Sequence, residues 1–133
     1  MLDAIQKVTD VMVRRVVTAS PQTGLRDVAK LMRKNRIGSV IITKDGRVAG
    51  ILTESDFIRF VARGADVKTA VAGDFMSRNV VTCDPSITVI DALMIMRSKR
   101  VRHLPVVKNK RLVGTISIRD LIAATQISSL YLI

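Results

Sequence analysis

The stretch "GILTESDF", Gly50 to Phe57, returns further along the chain as "GTISIRDL", Gly114 to Leu121. In each, a glycine opens an apolar run, a hydroxyl residue (Thr53, Ser117) follows three positions later, and an aspartate (Asp56, Asp120) three beyond that. A hydroxyl followed three residues on by an acid is the pattern of a capping box, in which two side chains satisfy the free N–H groups at a helix start. The same geometry also makes an anion site, because the first N–H groups and the hydroxyl point outward together. A carboxylate placed there can accept charge-assisted hydrogen bonds from a diol. From these residues alone, cap and ligand site are both open.

The two stretches are separated by a constant offset, since 114 − 50 and 120 − 56 both equal 64. The whole chain matches itself at that offset without a gap, from Val11 against Phe75 to Phe60 against Ala124. Met12 meets Met76, Val16-Val17-Thr18 meets Val80-Val81-Thr82, Pro21 meets Pro85, and Met32-Arg33 meets Met96-Arg97. Roughly a third of the positions are identical and most others keep their apolar character, so the chain is an internal duplication.

Each copy reads as the same series of elements. "RRVVTASP" and "RNVVTCDP" are short extended segments ending at a proline. A helix follows in each, with Leu25, Val28, Ala29 and Met32, or Val89, Ala92, Leu93 and Met96, at the i, i+3, i+4, i+7 spacing of one buried stripe. Thr88 and Asp91 are placed to cap the second of these helices, while Gly24 takes the cap position in the first. "IGSVIITKDGRVAGIL" and "VRHLPVVKNKRLVGTI" are β-rich pairs joined at Asp45-Gly46 and Asn109-Lys110, the two-residue turns of hairpins. Pro105 within a strand marks an edge or a bulge, a place suited to the rim of a cleft. The last helix of each copy starts after Thr53 or Ser117, the second running on through "LIAATQISSLYLI"; "LDAIQKVTDV" is a helix-like leader. The expected fold class is α+β, two β-α-β-β-α repeats related by a pseudo-twofold axis and packed as one module. Residues 8–64 form repeat 1, 65–74 a linker and 75–127 repeat 2.

Composition narrows the function classes. The 133 residues are 48% hydrophobic, enough for a sizeable core, and no run approaches the ~18 uncharged apolar residues of a membrane span. A soluble, cytoplasmic protein without a membrane partner is expected. The net charge of +11 favours anionic partners without choosing among them. Nucleic-acid binding is the alternative reading on that ground. Three Phe, one Tyr and no Trp are too few for a base-stacking platform, and the basic residues are dispersed. One His and one Cys cannot build a tetrahedral metal site, and no nucleophile, base and orienting group stand in a recognisable pattern, so no metal, catalytic residue or enzyme activity is expected. Cys83 reads either as a buried free thiol or, in a chain whose Ile, Val, Arg and Lys content resembles that of hyperthermophile proteins, as one half of an intersubunit disulfide.

The duplicated "VVTASP" and "VVTCDP", the strand "VRHLPVV" and the two glycine-to-aspartate segments together resemble a tandem pair of cystathionine β-synthase (CBS) domains, the Bateman module, over about residues 8 to 127. The resemblance implies an adenosyl ligand, AMP first and then ATP, ADP or S-adenosylmethionine, held in clefts between the repeats, with no catalytic cofactor. Carried over, one cleft takes Asp56 for the ribose and Thr53 near the phosphates, with Thr82 beside the base, Arg102 and His103 on the phosphate and Pro105 at the rim. The other takes Asp120, Ser117, Thr18 and the stretch Ile37, Gly38 and Ser39. There the chain departs from the family pattern, because Gly38 and Ser39 stand where the other copy has Arg102 and His103; Arg119 partly replaces them. This reading makes the Asp56 cleft the better furnished for phosphate. It also implies a homodimer that senses energy state and reports ligand through a regulated partner protein.

Overall fold

A computed structural model describes residues 6–125. In chain order the elements are α1 (Val8–Val11), β1 (Thr18–Ala19), α2 (Leu25–Asn35), β2 (Ser39–Lys44), β3 (Arg47–Thr53), α3 (Glu54–Ala62), α4 (Ala72–Phe75), α5 (Val89–Lys99), β4 (His103–Lys108), β5 (Arg111–Ser117) and α6 (Ile118–Thr125). The expected start of the leader helix at Leu2 and the extension of the last helix to Ile133 lie outside the described residues. This is the expected α+β class, with the β-α-β-β-α order complete in the first copy and the opening strand of the second reduced to a single bridge at Cys83.

The chain divides into two compact units. One is Val16–Val80, called below the Asp56 unit; the other, the Asp120 unit, joins Met1–Arg15 to Val81–Ile133. The sequence repeat begins at Val11 and Phe75, so the units are not the repeats. The segment through Met12 and Val13 belongs with the second copy, and the segment through Met76 and Ser77 with the first.

Backbone pairing explains this exchange. Ile51 and Ser77 donate to each other's carbonyls at 3.0 Å each way, and Val13 and Thr115 do the same at 2.8 and 2.9 Å. Both crossings pass over a glycine. A Cβ on Gly50 would collide with Met76 Sδ and lie 2.9 Å from the Ser77 carbonyl oxygen. One on Gly114 would lie 2.6 Å from Met12 Sδ and 3.1 Å from the Val13 carbonyl oxygen. The glycines of the opening stretches are there for this close approach.

Each unit builds its own core. Leu25, Val28 and Met32 of α2 face Val40, Ile42 and Leu52 of the hairpin, with Phe60, Ala72 and Met76 completing the cluster. In the Asp120 unit Val89, Ala92 and Met96 of α5 meet Leu104, Val106 and Ile116, with Val8, Met12 and Leu121. Full burial of each large aliphatic side chain contributes about 1.5–3 kcal/mol, which holds the helices onto the sheets. Helix starts follow the sequence. Thr88 Oγ1 accepts from the Asp91 N–H at 3.1 Å, and Gly24 leaves α2 without a side-chain cap.

The hairpins turn as expected, with φ positive at both central residues: 54° and 77° at Asp45-Gly46, 52° and 66° at Asn109-Lys110. Two strand residues beyond each turn the register slips, between Ile42 and Thr43 and again between Val106 and Val107. Because the bulge also occurs at Ile42, where there is no proline, Pro105 is not its cause. Pro105 acts on the parallel ladder instead. β1 pairs with β2 at Thr18↔Ile41 and Ala19↔Ile42, whereas the second copy keeps one bridge, Cys83↔Val106. A bridge at Pro105 would need the N–H that proline lacks.

Two stability changes follow. Gly50→Ala and Gly114→Ala should each destabilise by about 1–3 kcal/mol in urea unfolding, Gly50→Ala the more because its clash is closer. Lys110→Gly should stabilise by about 0.5–1 kcal/mol in the same measurement, since a lysine at φ 66° bears a left-handed penalty that glycine escapes.

Candidate functional site

In the Asp56 unit, β3 ends at Thr53, which caps α3. Asp56 Oδ2 accepts from the Thr53 N–H at 2.8 Å and from its hydroxyl at 3.1 Å. The Asp56 N–H donates to Thr53 Oγ1 at 3.4 Å. The other carboxylate oxygen, Oδ1, accepts from Arg59 Nη2 at 2.6 Å, one turn further along the helix. Ser39 lies opposite Thr53 in the hairpin, and the Glu54 N–H donates to the Gly38 carbonyl at 3.1 Å. Ile37, Gly38 and Ser39 are therefore beside Thr53 and Asp56 within one unit. Thr18, on β1, is exposed.

The Asp120 unit repeats the cap with different surroundings. Asp120 Oδ2 accepts from the Ser117 N–H and hydroxyl, both at 2.9 Å, and the Asp120 N–H donates to Ser117 Oγ at 3.2 Å. The residue matching Arg59 is Ala123, and among the described residues Asp120 Oδ1 has no partner. His103 lies opposite Ser117, and the Ile118 N–H donates to the Arg102 carbonyl at 2.9 Å. Arg119 is exposed on the first turn of α6. An open cleft of about 510 Å³ adjoins this helix start, lined by Arg97, Arg100 and Arg102 and by the apolar Leu93, Met96, Val101 and Ile118.

Both helix starts thus combine a hydroxyl, a carboxylate and outward N–H groups, the equipment for a ligand carrying a diol and an anion. The CBS domain family matches this chain over residues 8–63 and again over 72–126. The chain belongs to the CBS domain family. The CBS domain-containing protein YhcV of Bacillus subtilis is 32% identical over 126 residues, 94% of this chain and 89% of that one. The crystal structure of the CBS-domain containing protein ATU1752 from Agrobacterium tumefaciens is 37% identical, with a TM-score of 0.84 over 90% of this chain and 99% of that one. The CBS domain pair of protein MJ0100, solved with 5′-methylthioadenosine and S-adenosyl-L-methionine, shares the fold at 24% identity and a TM-score of 0.84, over 92% and 97% of the two chains. Relatives that are enzymes are matched over a minor part of their length, 24% for the inosine-5′-monophosphate dehydrogenase of Thermoplasma acidophilum. Among the described residues no helix is long and apolar enough to cross a membrane, and no group of three His, Cys, Asp or Glu side chains could hold a metal ion.

Within each unit of this CBS pair the hairpin sets which of the expected site residues are neighbours. Arg102 and His103, expected at the Asp56 cleft, lie beside Ser117 and Asp120 in their own unit. Ile37, Gly38 and Ser39, expected at the Asp120 cleft, lie beside Thr53 and Asp56 in theirs. The Asp120 unit holds the cations and the open carboxylate oxygen, while the Asp56 unit holds Gly38 and a carboxylate already engaged by Arg59. The Arg59/Ala123 difference was present in the sequence at the offset of 64 and was the signal missed. Thr82 is exposed and Pro105 is fully buried.

Cys83 takes the buried alternative. It is 7% exposed within the core of the Asp120 unit and bridges Val106. Burial, reinforced by the neighbouring Asp84 carboxylate, pushes its thiol up from 9.0 to about 11. That environment withholds both the thiolate and the access that a bond between chains needs. Native protein at pH 8 should leave Cys83 unreactive toward Ellman's reagent and run as a monomer in non-reducing electrophoresis; unfolding in guanidinium should release one thiol. Because the folded thiol holds its proton more tightly than the unfolded one, its contribution to stability is complete below pH 9 and is lost as the pH rises toward 11. Cys83→Ala should flatten that part of the stability profile.

Proposed function

We propose that this CBS pair is a regulatory module that binds an adenine nucleotide or related adenosyl ligand. In one site the ligand's ribose diol hydrogen-bonds to Asp120 and in the other to Asp56, and its anionic end meets the capped helix start. The observation that carries the reading is the Asp120 carboxylate. One oxygen is fixed by the Ser117 N–H and hydroxyl at 2.9 Å, and the other is left to accept from a ligand, with Arg102 and His103 beside it. AMP, ADP, ATP and S-adenosylmethionine all present the required diol. The MJ0100 pair, whose likeness extends to the fold, was crystallised with ligands of this class.

Magnitudes decide what else the site must do. Each hydrogen bond to a carboxylate contributes about 1.5–3 kcal/mol, so the diol alone falls short of the ~8 kcal/mol of micromolar binding. Burial of the adenine and phosphate contacts with arginine supply the rest. Regulation follows from differential affinity: the ligand favours whichever arrangement of the homodimer closes around it, and a partner protein reads that arrangement. No chemical step is assigned to the pair.

Titration calorimetry with AMP, ADP, ATP and S-adenosylmethionine tests this. Asp120→Ala should weaken binding about tenfold or more, and Asp56→Ala less, because Arg59 already occupies the Asp56 carboxylate. Failure of all four ligands to bind the wild-type chain would overturn the proposal.

A further inference from the structure

Arg97 and Arg100 line the cleft beside the Asp120 helix start but have no role in the ligand reading given above. Arg97 is in the last turn of α5, Arg100 closes that helix, and both line the cleft beside Arg102. Among the described residues none of the three side chains has a hydrogen-bond or ion-pair partner. Three unpaired guanidinium groups around one cleft repel one another, and a bound polyanion relieves that repulsion.

The helix end alone does not distinguish the two copies. Arg100 sits at φ 56°, ψ 43°, the left-handed position that closes a helix and that glycine fills without penalty. A cation near a helix C-terminus interacts favourably with the dipole, which accounts equally for Arg33, Arg36, Arg97 and Arg100. It does not account for the third arginine. The duplication isolates that difference: Arg33 and Arg36 match Arg97 and Arg100, but Gly38 and Glu54 stand where the second copy has Arg102 and Ile118. One copy thus has two arginines and a carboxylate, the other three arginines and an apolar residue. Arg102 and Ile118 are joined by the 2.9 Å backbone hydrogen bond, so the arginine cluster adjoins the helix start that carries Ser117 and Asp120.

We propose that Arg97, Arg100 and Arg102 form a polyphosphate subsite of the Asp120 unit, so that this CBS pair prefers a nucleoside di- or triphosphate to the monophosphate. The proposal rests on the adenosyl reading and orders its candidates, with ADP and ATP ahead of AMP. Apolar Ile118 excludes a competing carboxylate from the subsite, and the guanidinium forks match phosphate oxygens in geometry.

The test compares Arg100→Gly with its counterpart Arg36→Gly on the full chain. Both remove an arginine from a left-handed position, so both should raise the melting temperature. Calorimetry at fixed ionic strength should show ADP and ATP binding wild type at least tenfold tighter than AMP. Arg100→Gly and Arg97→Gln should lose about tenfold or more for ATP and little for adenosine, while Arg36→Gly keeps wild-type affinity. Equal affinity for ATP and AMP, or equal ATP affinity in the two glycine variants, would overturn the proposal. Sodium tripolyphosphate distinguishes the sources of the anion. Arg100-dependent binding of that salt, with no adenosyl ligand bound, would uphold the subsite and refute the adenosyl reading. Its failure to displace ATP would tie the subsite to a nucleotide.

Discussion

The structure depends on a backbone crossing that only glycine permits. At Gly50 and again at Gly114 a segment from elsewhere in the chain lies across the strand, held by two reciprocal hydrogen bonds and covered by a methionine. Those bonds leave no room for a Cβ. Each crossing brings in the short helix that precedes it, α4 or α1, and so adds Ala72 or Val8 to a core that the hairpin and its two helices would leave open. The strand that is crossed is also the strand that ends at the capping hydroxyl. Core closure and site placement are therefore properties of the same seven residues.

The bulge sets the phase of that strand. Counting back from the turn, Thr43 pairs with Val48, but Ile42 then pairs with Gly50, so Ala49 is the extra residue. Without that bulge Ala49 would pair with Ile42, Thr53 would face Gly38 rather than Ser39, and every side chain between would change face. With it, Gly50 and Leu52 are buried while Thr53 stays half-exposed at the helix start. The second copy places Ser117 against His103 by the same slip.

Much of this was legible in the sequence because the duplication supplied two readings of each element. The capped start at Thr88, the uncapped one at Gly24, the tight turns and the buried stripes of α2 and α5 all follow from local chemistry, which tertiary packing did not override. The neighbours of each capped helix start were also legible, since a hairpin of this turn length sets Arg102 and His103 beside Ser117. The exchange of Met12 and Met76 between the two sequence copies was less accessible, since a glycine reads first as a turn or a bulge and not as the floor of a crossing. Burial of Cys83 was an open alternative that only packing could decide.

The two half-sites differ in two ways, and their magnitudes show which matters more. Arg59 holds Asp56 from a side chain that is 46% exposed, so the pair is worth no more than about 1 kcal/mol and a ligand could displace it. That alone biases affinity by about fivefold. The replacement of a cation by Gly38 removes a charge-assisted contact to the ligand's anion, worth about 1.5–3 kcal/mol. Glu54, in place of Ile118, adds an acidic residue at the matching position. Loss of attraction therefore outweighs masking of the carboxylate, and the Asp56 half would remain the weaker one even with Arg59 removed. Duplication preserved the cap in both copies because the fold requires a helix start there; the charges around it were free to diverge, and that divergence separates one half-site from the other.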